Sequence, residues 1–322
     1  MPRQYTLRPN IARLVNLFTN RRAKTAQSPT SGTQNIPDVF FLPECVEFFI
    51  FLYYNYPDKI EYGEVFTMAM WDPWRGCKKC SDGCLHCYIH KGDAKRGVNT
   101  NDIVKTKDFY KPIEKLKNGT YKMKPGIVYL CFSTDFLIEE ADEWRKACWS
   151  MIKQRRDCTF LFLTKRIERF AACIPDDWGN GYENVVVCCT IENQKNADKK
   201  LSVFASLPIL HKCITAQPLL EGIHIEPYLD GIELVVVGGE SDQNARPFDY
   251  SWALDIREQC IRKGVSFEFR QCGTHFIKDG KKYKLQTKDL CSQAKKAGID
   301  FKANNETDPG SSYHKDTRQQ TG

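Results

Sequence analysis

Residues 185–190 read Val-Val-Val-Cys-Cys-Thr, a run in which every position except the last is apolar. A strand with one face in water alternates apolar and polar residues, whereas a continuous apolar run is typical of a parallel strand covered on both faces. Similar short runs, most of them apolar on both faces, predict six further strands: Val65–Trp71, Ile127–Phe132, Thr159–Leu163, Lys212–Thr215, Leu234–Val237 and Val265–Phe269.

Amphipathic stretches lie between these runs. Residues Ala141–Arg156 place apolar side chains on one stripe at helical spacing, and Asn196–Leu207 and Tyr250–Lys263 show the same pattern, with Gly264 as a helix stop. Alternating strands and helices predict a parallel α/β architecture. We expect a partial or irregular parallel (β/α) barrel, with a doubly wound sheet as the alternative. In either fold the active face lies at the carboxyl ends of the strands.

Composition divides the chain into three parts. Residues 1–60 form a basic extension, which includes a linker-like stretch rich in Ser, Thr and Gln at Thr25–Pro37, and we expect it to be partly disordered. The Arg-rich, acid-free start also resembles an organelle transit peptide, which leaves that alternative open. Residues 61–276 form the α/β domain. Residues 277–322 are a polar extension, predicted to be disordered from about residue 304.

The net charge of +7 comes mostly from the amino-terminal arm. Six basic residues precede the first acid, Asp38, and without them the chain has 41 basic and 40 acidic residues. Proteins that depend on phosphate contacts usually carry a domain-wide basic excess, so charge does not support a nucleic-acid partner, although a local basic groove stays open. The longest apolar run, Val46–Tyr54, is nine residues long and contains Glu47. That is too short for a membrane span, which needs about 20 residues.

The chain has fifteen cysteines, an odd and unusually large number. No apolar signal segment precedes them, so we expect free thiols in the reducing cytoplasm rather than a disulfide framework. Four of the cysteines fall within eleven residues, in Trp71-Asp-Pro-Trp-Arg-Gly-Cys77-Lys-Lys-Cys80-Ser-Asp-Gly-Cys84-Leu-His-Cys87-Tyr88. This passage follows the first predicted strand directly, and we therefore place it in a loop on the active face.

Clustered thiols indicate metal ligands, and two kinds of centre compete. Structural zinc usually takes two CxxC pairs that are separated by a dozen or more residues, whereas only three residues lie between Cys80 and Cys84. Iron–sulfur clusters accept tight spacings because each cysteine binds a different iron. The spacing favours an iron–sulfur cluster, and zinc remains the alternative.

The motifs resemble those of a phage- and bacteria-associated family of unknown function that is itself similar to radical S-adenosylmethionine (SAM) enzymes, with spore photoproduct lyase as a distant relative. The resemblance covers about residues 66–276. The matching motifs are Trp71-Asp-Pro-Trp-Arg-Gly-Cys77, Gly83-Cys84-Leu-His-Cys87-Tyr88, Ser133-Thr-Asp135-Phe, Leu163-Thr-Lys-Arg166-Ile-Glu-Arg169, Val237-Gly-Gly-Glu240-Ser and Ala245-Arg246-Pro247.

The resemblance implies a barrel of radical SAM type and an enzyme that uses a [4Fe–4S] cluster and SAM to generate a 5′-deoxyadenosyl radical. The family spacing implies Cys77, Cys84 and Cys87 as ligands, whereas the generic CxxxCxxC spacing selects Cys80 in place of Cys77. A reductant such as flavodoxin or ferredoxin is the implied partner. The substrate is unknown, and nucleic acid is one option. The alternative function is a non-catalytic, phage-associated protein that binds zinc or a cluster.

Other candidate residues follow the predicted strands. By resemblance, Ser133 and Asp135 lie where radical SAM enzymes hold the SAM amino group, and Thr190 and Glu192 lie where ribose hydroxyls are bound. The alternatives are a helix N-cap at residues 133–135 and a surface position for Glu192. Further candidates come from the residues themselves. Lys165, with Arg166, could hold a carboxylate or phosphate or instead pair with Asp176 or Asp177, and Gly238 and Gly239, beside Glu240, let the backbone approach a ligand closely.

Overall fold

The structure is a computed structural model and describes residues 67–303. The strands are β1 (Thr67–Trp71), β2 (Trp74–Arg75), β3 (Val104–Lys105), β4 (Gly126–Leu130), β5 (Cys158–Thr164), β6 (Val185–Thr190), β7 (His211–Ala216), β8 (Leu234–Gly238), β9 (Phe248–Asp249), β10 (Ser266–Gln271), β11 (His275–Lys278) and β12 (Lys281–Lys284). The α-helices are α1 (Tyr88–Lys95), α2 (Asp142–Gln154), α3 (Phe170–Cys173), α4 (Gln194–Ser206), α5 (Tyr250–Lys263) and α6 (Leu290–Lys296).

Seven parallel strands form the main sheet in the order β1-β4-β5-β6-β7-β8-β10. Each strand lies beside the one before it, so the winding direction never reverses and the sheet curls into a half-barrel. The predicted parallel α/β architecture and the partial barrel are confirmed. The doubly wound alternative is wrong because that fold requires a reversal of strand order.

The two faces of the sheet bury different layers. On the helical face, β-strand residues such as Phe160, Phe162 and Val187 pack with Trp149 of α2 and Phe204 of α4 in a large apolar core. The opposite face, which the curl turns inward, carries a smaller cluster of side chains from β4 to β8, extended by partly buried methionines of β1: Ile127, Tyr129, Leu161, Val186, Cys188, Cys213, Leu234, Val236, Met68 and Met70. Burial on both faces explains the continuous apolar runs in the sequence.

All seven sheet strands and the three long helices coincide with predicted elements to within a few residues. Helix α5 ends where expected, because Gly264 has a left-handed φ of +64° and its amide donates to the Cys260 carbonyl. Two short sheets, β2–β3 and β12–β11–β9, were not predicted. Their strands are two to four residues long and carry little apolar periodicity.

The domain continues beyond the predicted boundary at residue 276, which falls inside β11. Leu290 at the start of α6 is 1% exposed, and Phe301 exchanges backbone hydrogen bonds of 2.7 and 2.9 Å with Phe267 of β10. The segment up to residue 303 is therefore part of the packed body. The predictions for residues 1–66 and 304–322 lie outside the described residues. Within 67–303, no helix has both the length and the apolar character that crossing a bilayer demands.

Candidate functional site

The cysteine loop begins at the carboxyl end of β1, as predicted. Trp74 is fully buried, stacks on Phe136 at 5.5 Å and donates from its indole nitrogen to the Asp135 carbonyl at 3.4 Å. Two residues later Gly76 has φ +92°, and a Cβ there would lie 2.4 Å from the Asp102 carbonyl oxygen. These contacts turn the chain across the carboxyl ends of β1 and β4.

The cysteines occupy one compact turn. A 3-10 turn at Asp82–Cys84 contains the third thiol, and Cys87 is the N-cap of α1. The Cys84 amide donates to the Ser81 carbonyl at 3.0 Å, and the Cys87 amide donates to the Cys84 carbonyl at 3.4 Å. Cys77 is held separately, because its amide donates to the Thr100 carbonyl at 2.7 Å. Backbone hydrogen bonds therefore contribute to the shape of this loop.

The four thiols are free and differ in exposure and charge. Cys84 is buried, Cys77 and Cys87 are half-buried, and Cys80 is exposed. A hydrogen bond from the Cys80 thiol is the main reason that the pKa of Cys84 falls to about 4, and Ser81 and Lys165 lower it further, against the effect of burial. Burial, followed by the nearby Asp135 carboxylate, raises the pKa of Cys77 to about 11. The hydrogen bonds therefore favour the thiolate form of Cys84, whereas burial favours the neutral thiol of Cys77.

The chemistry of this donor set fits a centre held by thiolates, because soft sulfur ligands select zinc or iron–sulfur clusters. Within residues 67–303, however, no three His, Cys, Asp or Glu side chains are gathered closely enough to hold a metal ion. Metal binding at the cysteine loop therefore requires movement of its sulfur atoms. Cys77, Cys80 and Cys87 lie at or near the surface, where such movement costs little packing.

Asp135 lies at the carboxyl end of β4, and its carboxylate is already saturated with donors. Oδ1 accepts from the Thr164 hydroxyl at 2.8 Å and from the Leu137 amide at 2.9 Å. Oδ2 accepts from the Lys165 amide and from the Arg166 guanidinium, both at 3.0 Å. The N-cap alternative is wrong for Asp135, because α2 begins after Ala141 and the preceding 3-10 turn begins after Ile138. In this arrangement the carboxylate has no acceptor position left for an ammonium group.

Ser133 and its neighbour bind the start of the cysteine loop. The Ser133 hydroxyl donates to Asp72 Oδ2 at 2.7 Å, and the Thr134 hydroxyl donates to the Gly76 carbonyl. Burial raises the pKa of Asp72, which the hydrogen bonds from Ser133 oppose. The Ser-Thr-Asp motif thus joins the end of β4 to the loop that follows β1.

A second carboxylate, Glu192, lies beyond the end of β6 and is 0% exposed, so the surface interpretation of this residue is wrong. Lys165 Nζ donates to Glu192 Oε1 at 2.8 Å, and Lys200 Nζ approaches Oε2 at 3.4 Å. Burial alone would raise the pKa of Glu192, but the two ammonium groups and the Ser81 hydroxyl lower it overall. Thr190 is buried as well, and its carbonyl accepts from Lys200 Nζ at 3.1 Å.

Lys165 and Arg166 therefore face the site. The predicted alternative partner Asp177 is instead paired with Lys153 and accepts from the Tyr182 hydroxyl. The Arg166 guanidinium also donates to the Lys78 carbonyl at 2.6 Å, which links β5 to the cysteine loop. This contact joins the sheet edge to the segment between the first two cysteines.

The Gly-Gly-Glu motif lies at the end of β8 and packs against the segment that follows β10. We call the close contact between Gly239 and Gly273 the seam. A Cβ at Gly239 would lie 2.8 Å from the Gly273 Cα, so the two backbones meet with no room for a side chain. Glu240 pairs with Arg246, whose guanidinium also donates to the Asp82 carbonyl at 3.0 Å. At Gly238 a Cβ would meet Gln271 and Gln217 side-chain atoms at 3.0 and 3.1 Å. In residues 67–303, the Thr274 hydroxyl beside this seam is the only buried side-chain nitrogen or oxygen without a hydrogen-bond partner.

Comparison with known proteins gives one match. A family described as proteins of unknown function, DUF5131, matches residues 59–312. The chain belongs to the DUF5131 family. No curated protein and no solved structure matches this DUF5131 chain.

The DUF5131 fold brings the predicted residues Asp135, Lys165, Glu192 and Glu240 to the same sheet edge as the cysteine loop. Sequence reasoning missed Asp72 and Lys200. Asp72 lies within the Trp-Asp-Pro-Trp motif, directly after a strand, which is a usable signal. Lys200 lies in α4, eight residues after Glu192, and no local pattern indicates that its ammonium group turns back to the strand end.

Proposed function

We propose that this DUF5131 chain is a radical SAM-type enzyme whose half-barrel is of the radical SAM type. The observation that carries the proposal is the position of the cysteine loop, which lies across the carboxyl edge of a parallel half-barrel wound in one direction. Parallel α/β folds bind ligands and perform chemistry at that edge. The resemblance of the motifs to those of radical SAM enzymes supplies the reaction class.

Cys77, Cys84 and Cys87 would hold a [4Fe–4S] cluster, which supplies electron transfer to a bound sulfonium compound. The stabilised thiolate of Cys84 supports its assignment as a ligand. Cys77 is held between the end of β1 and Thr100, whereas Cys80 projects into solvent and donates to Cys84. We therefore retain Cys77 as the third ligand and treat Cys80 as an additional thiol.

The protein side chains position the ligand and exclude water. Beside the seam at Gly239 and Gly273, the Thr274 hydroxyl is buried without a hydrogen-bond partner, and we assign it as a candidate contact for SAM between β8 and β10. Asp135 and Glu192 have their oxygens engaged by protein donors, and we assign them to the support of the site. A low-potential reductant such as flavodoxin or ferredoxin would supply electrons. A reducing cytoplasm suits the fourteen free thiols of the described structure.

Anaerobic purification followed by iron and sulfide analysis tests the proposal. We expect about four irons and four sulfides per chain, and 5′-deoxyadenosine released from SAM after reduction. Cys84→Ala and Cys77→Ala should lose the iron, whereas Cys80→Ala should keep it. Cys260→Ala, which removes a buried thiol in α5 far along the chain from the loop, is the matched control and should also keep it.

Two results would change these assignments. If Cys80→Ala loses iron and Cys77→Ala keeps it, the ligand set changes and the reaction class stands. If the wild type is colourless and holds one zinc ion, with no iron after anaerobic reconstitution, the enzymatic proposal is wrong. The protein would then be a zinc-stabilised binding protein.

A further inference from the structure

Glu192 is a carboxylate at the active edge that is completely buried and faces a segment distant in sequence. Its Oε1 accepts from the Ser81 hydroxyl at 2.5 Å and from Lys165 Nζ at 2.8 Å. Its own carbonyl accepts from the Leu220 amide at 2.9 Å, which fixes the backbone after β6. Ser81 is thus bound by a group whose position the sheet sets independently.

The turn at residues 81–84 also packs closely against the Glu192 side chain. A Cβ at Gly83 would lie 2.6 Å from Glu192 Cγ and 2.8 Å from Oε1, so the turn lies directly on the carboxylate. On either side, Asn193 donates to Asp82 Oδ2 at 2.8 Å, and Arg246 donates to the Asp82 carbonyl at 3.0 Å. The turn that presents Cys84 is therefore contacted at three consecutive residues by side chains from the segments that follow β6 and β8.

Glu192 also joins the turn to two ammonium groups. Lys200 is 3% exposed and donates to the Thr190 carbonyl, so it links Glu192 to the backbone of β6. Lys165 follows β5, and its ammonium group donates to the same Glu192 oxygen that accepts from Ser81. Because a buried carboxylate with two cations and a hydroxyl has few acceptor positions left, it is poorly placed to bind a ribose as well.

We propose that Glu192 is a positioning residue that holds the Ser81–Cys84 turn in the shape needed to present Cys84, rather than a contact of the cofactor. This inference assigns a role within the proposed metal site. Only its iron readout depends on the proposed function, because the shape of the turn is measurable without a metal.

Amide hydrogen exchange in the full-length, metal-free protein tests the proposal directly. In Ser81→Ala, which leaves the pairs of Glu192 with lysine intact, peptides covering residues 81–88 should exchange roughly tenfold faster, since local opening becomes easier. Glu192→Gln, which keeps the shape and removes the charge, should produce at least the same local increase. Ser81→Thr, which keeps the hydroxyl, should restore wild-type exchange.

Ser202→Ala is the matched control, because the Ser202 hydroxyl donates to the Lys199 carbonyl on the surface of α4 and does not contact the turn. It should leave exchange at residues 81–88 unchanged. After reconstitution, iron content should fall by roughly half or more in Ser81→Ala and Glu192→Gln and recover in Ser81→Thr.

The proposal is overturned if Ser81→Ala and Glu192→Gln exchange at the wild-type rate in this turn. It is also overturned if the turn stays protected and retains its iron while the affinity for SAM falls, since Glu192 would then be a cofactor contact. If the wild type binds no iron, the proposed function fails, and hydrogen exchange alone still decides the role of Glu192.

Discussion

Two networks of buried, hydrogen-bonded charged side chains lie at opposite edges of the sheet. They contain similar groups but contact different parts of the chain. At the amino edge, before β5, Arg155 is 0% exposed and donates to the Pro112 and Met123 carbonyls and to Asp157. Beside it, the Asn184 amide donates to three backbone carbonyls, the nearest at 3.1 Å. The acceptors in this network are backbone carbonyls, the Cys158 thiol and the Asp157 side chain, and all of them lie at the amino edge of the sheet.

At the carboxyl edge, Asp135 and Glu192 receive donors from β5, from α4 and from the cysteine loop itself. The half-buried Cys77 thiol of the loop is close enough to Asp135 for that carboxylate to raise the pKa of the thiol. The comparison shows that a buried ion pair in this fold is not by itself a sign of a site. Under the proposed function, the pair at the carboxyl ends of the strands supports the site, whereas the pair at the amino ends only stabilises the chain.

The largest effect is expected at the amino edge. Arg155→Met should lower the free energy of unfolding by about 3 kcal/mol, because it leaves two buried carbonyls without donors and removes the stack on Tyr121. Urea denaturation measures the loss. Iron bound per folded chain should not change.

The adjacent Arg156 is exposed, so Arg156→Met is the control and should change stability by less than about 0.5 kcal/mol. A loss of iron in Arg155→Met under conditions where the chain remains folded would contradict the proposed division between the two edges.

The second-largest effect is expected where Gly83 packs against Glu192 at the carboxyl edge. Gly83→Ala should cost about 1–2 kcal/mol and reduce iron retention, because the new methyl group overlaps Glu192 and pushes the turn away. Gly92→Ala in α1 is the control, since its Cβ would meet only an Arg96 guanidinium nitrogen at 3.8 Å. That substitution should be neutral or stabilise α1 by up to about 1 kcal/mol. Equal iron content in Gly83→Ala and the wild type would show that the turn does not depend on this contact.

The smallest effect on stability is expected at a half-exposed ion pair between a carboxylate and two arginines. Asp142 accepts from Arg145 at 2.5 Å and from Arg169 at 2.8 Å, but its side chain is 47% exposed. Burial raises the pKa of Asp142, and the hydrogen bonds and charges of Arg145 and Arg169 outweigh it, so the pKa lies below the ordinary 3.8. A carboxylate with a lowered pKa contributes stability above its unfolded-state pKa and loses it as pH falls through the folded-state value.

Asp142→Asn should therefore cost about 0.5–1 kcal/mol at about pH 7, and the difference from wild type should shrink at about pH 3 and below. Urea denaturation across this range measures it. Glu143→Gln, at a side chain that is 84% exposed, is the control and should change stability by less than about 0.5 kcal/mol. A constant difference from neutral to acid pH would show that Asp142 acts through shape rather than charge.

Much of the fold was predictable because the strands and helices leave local patterns of apolar residues in the sequence. A parallel strand buried on both faces must be apolar throughout, and a helix beside it must carry one apolar stripe, so 185–190 and 250–263 can be identified without their partners. The short strands β2, β3, β9, β11 and β12 were missed, since two to four residues hold too little pattern to exceed chance. Likewise, nothing local indicates that Phe301 pairs with Phe267.

The sequence by itself determined that four thiols share one loop after the first strand, and that polar residues follow the ends of several parallel strands. Parallel strands share a direction, so their ends share an edge, and the sequence therefore predicted which residues gather. Only the tertiary structure decided what those residues touch. Whether Glu192 meets solvent, a ligand or Ser81 depends on how a turn 111 residues earlier packs against it, and that distance is a property of the folded chain.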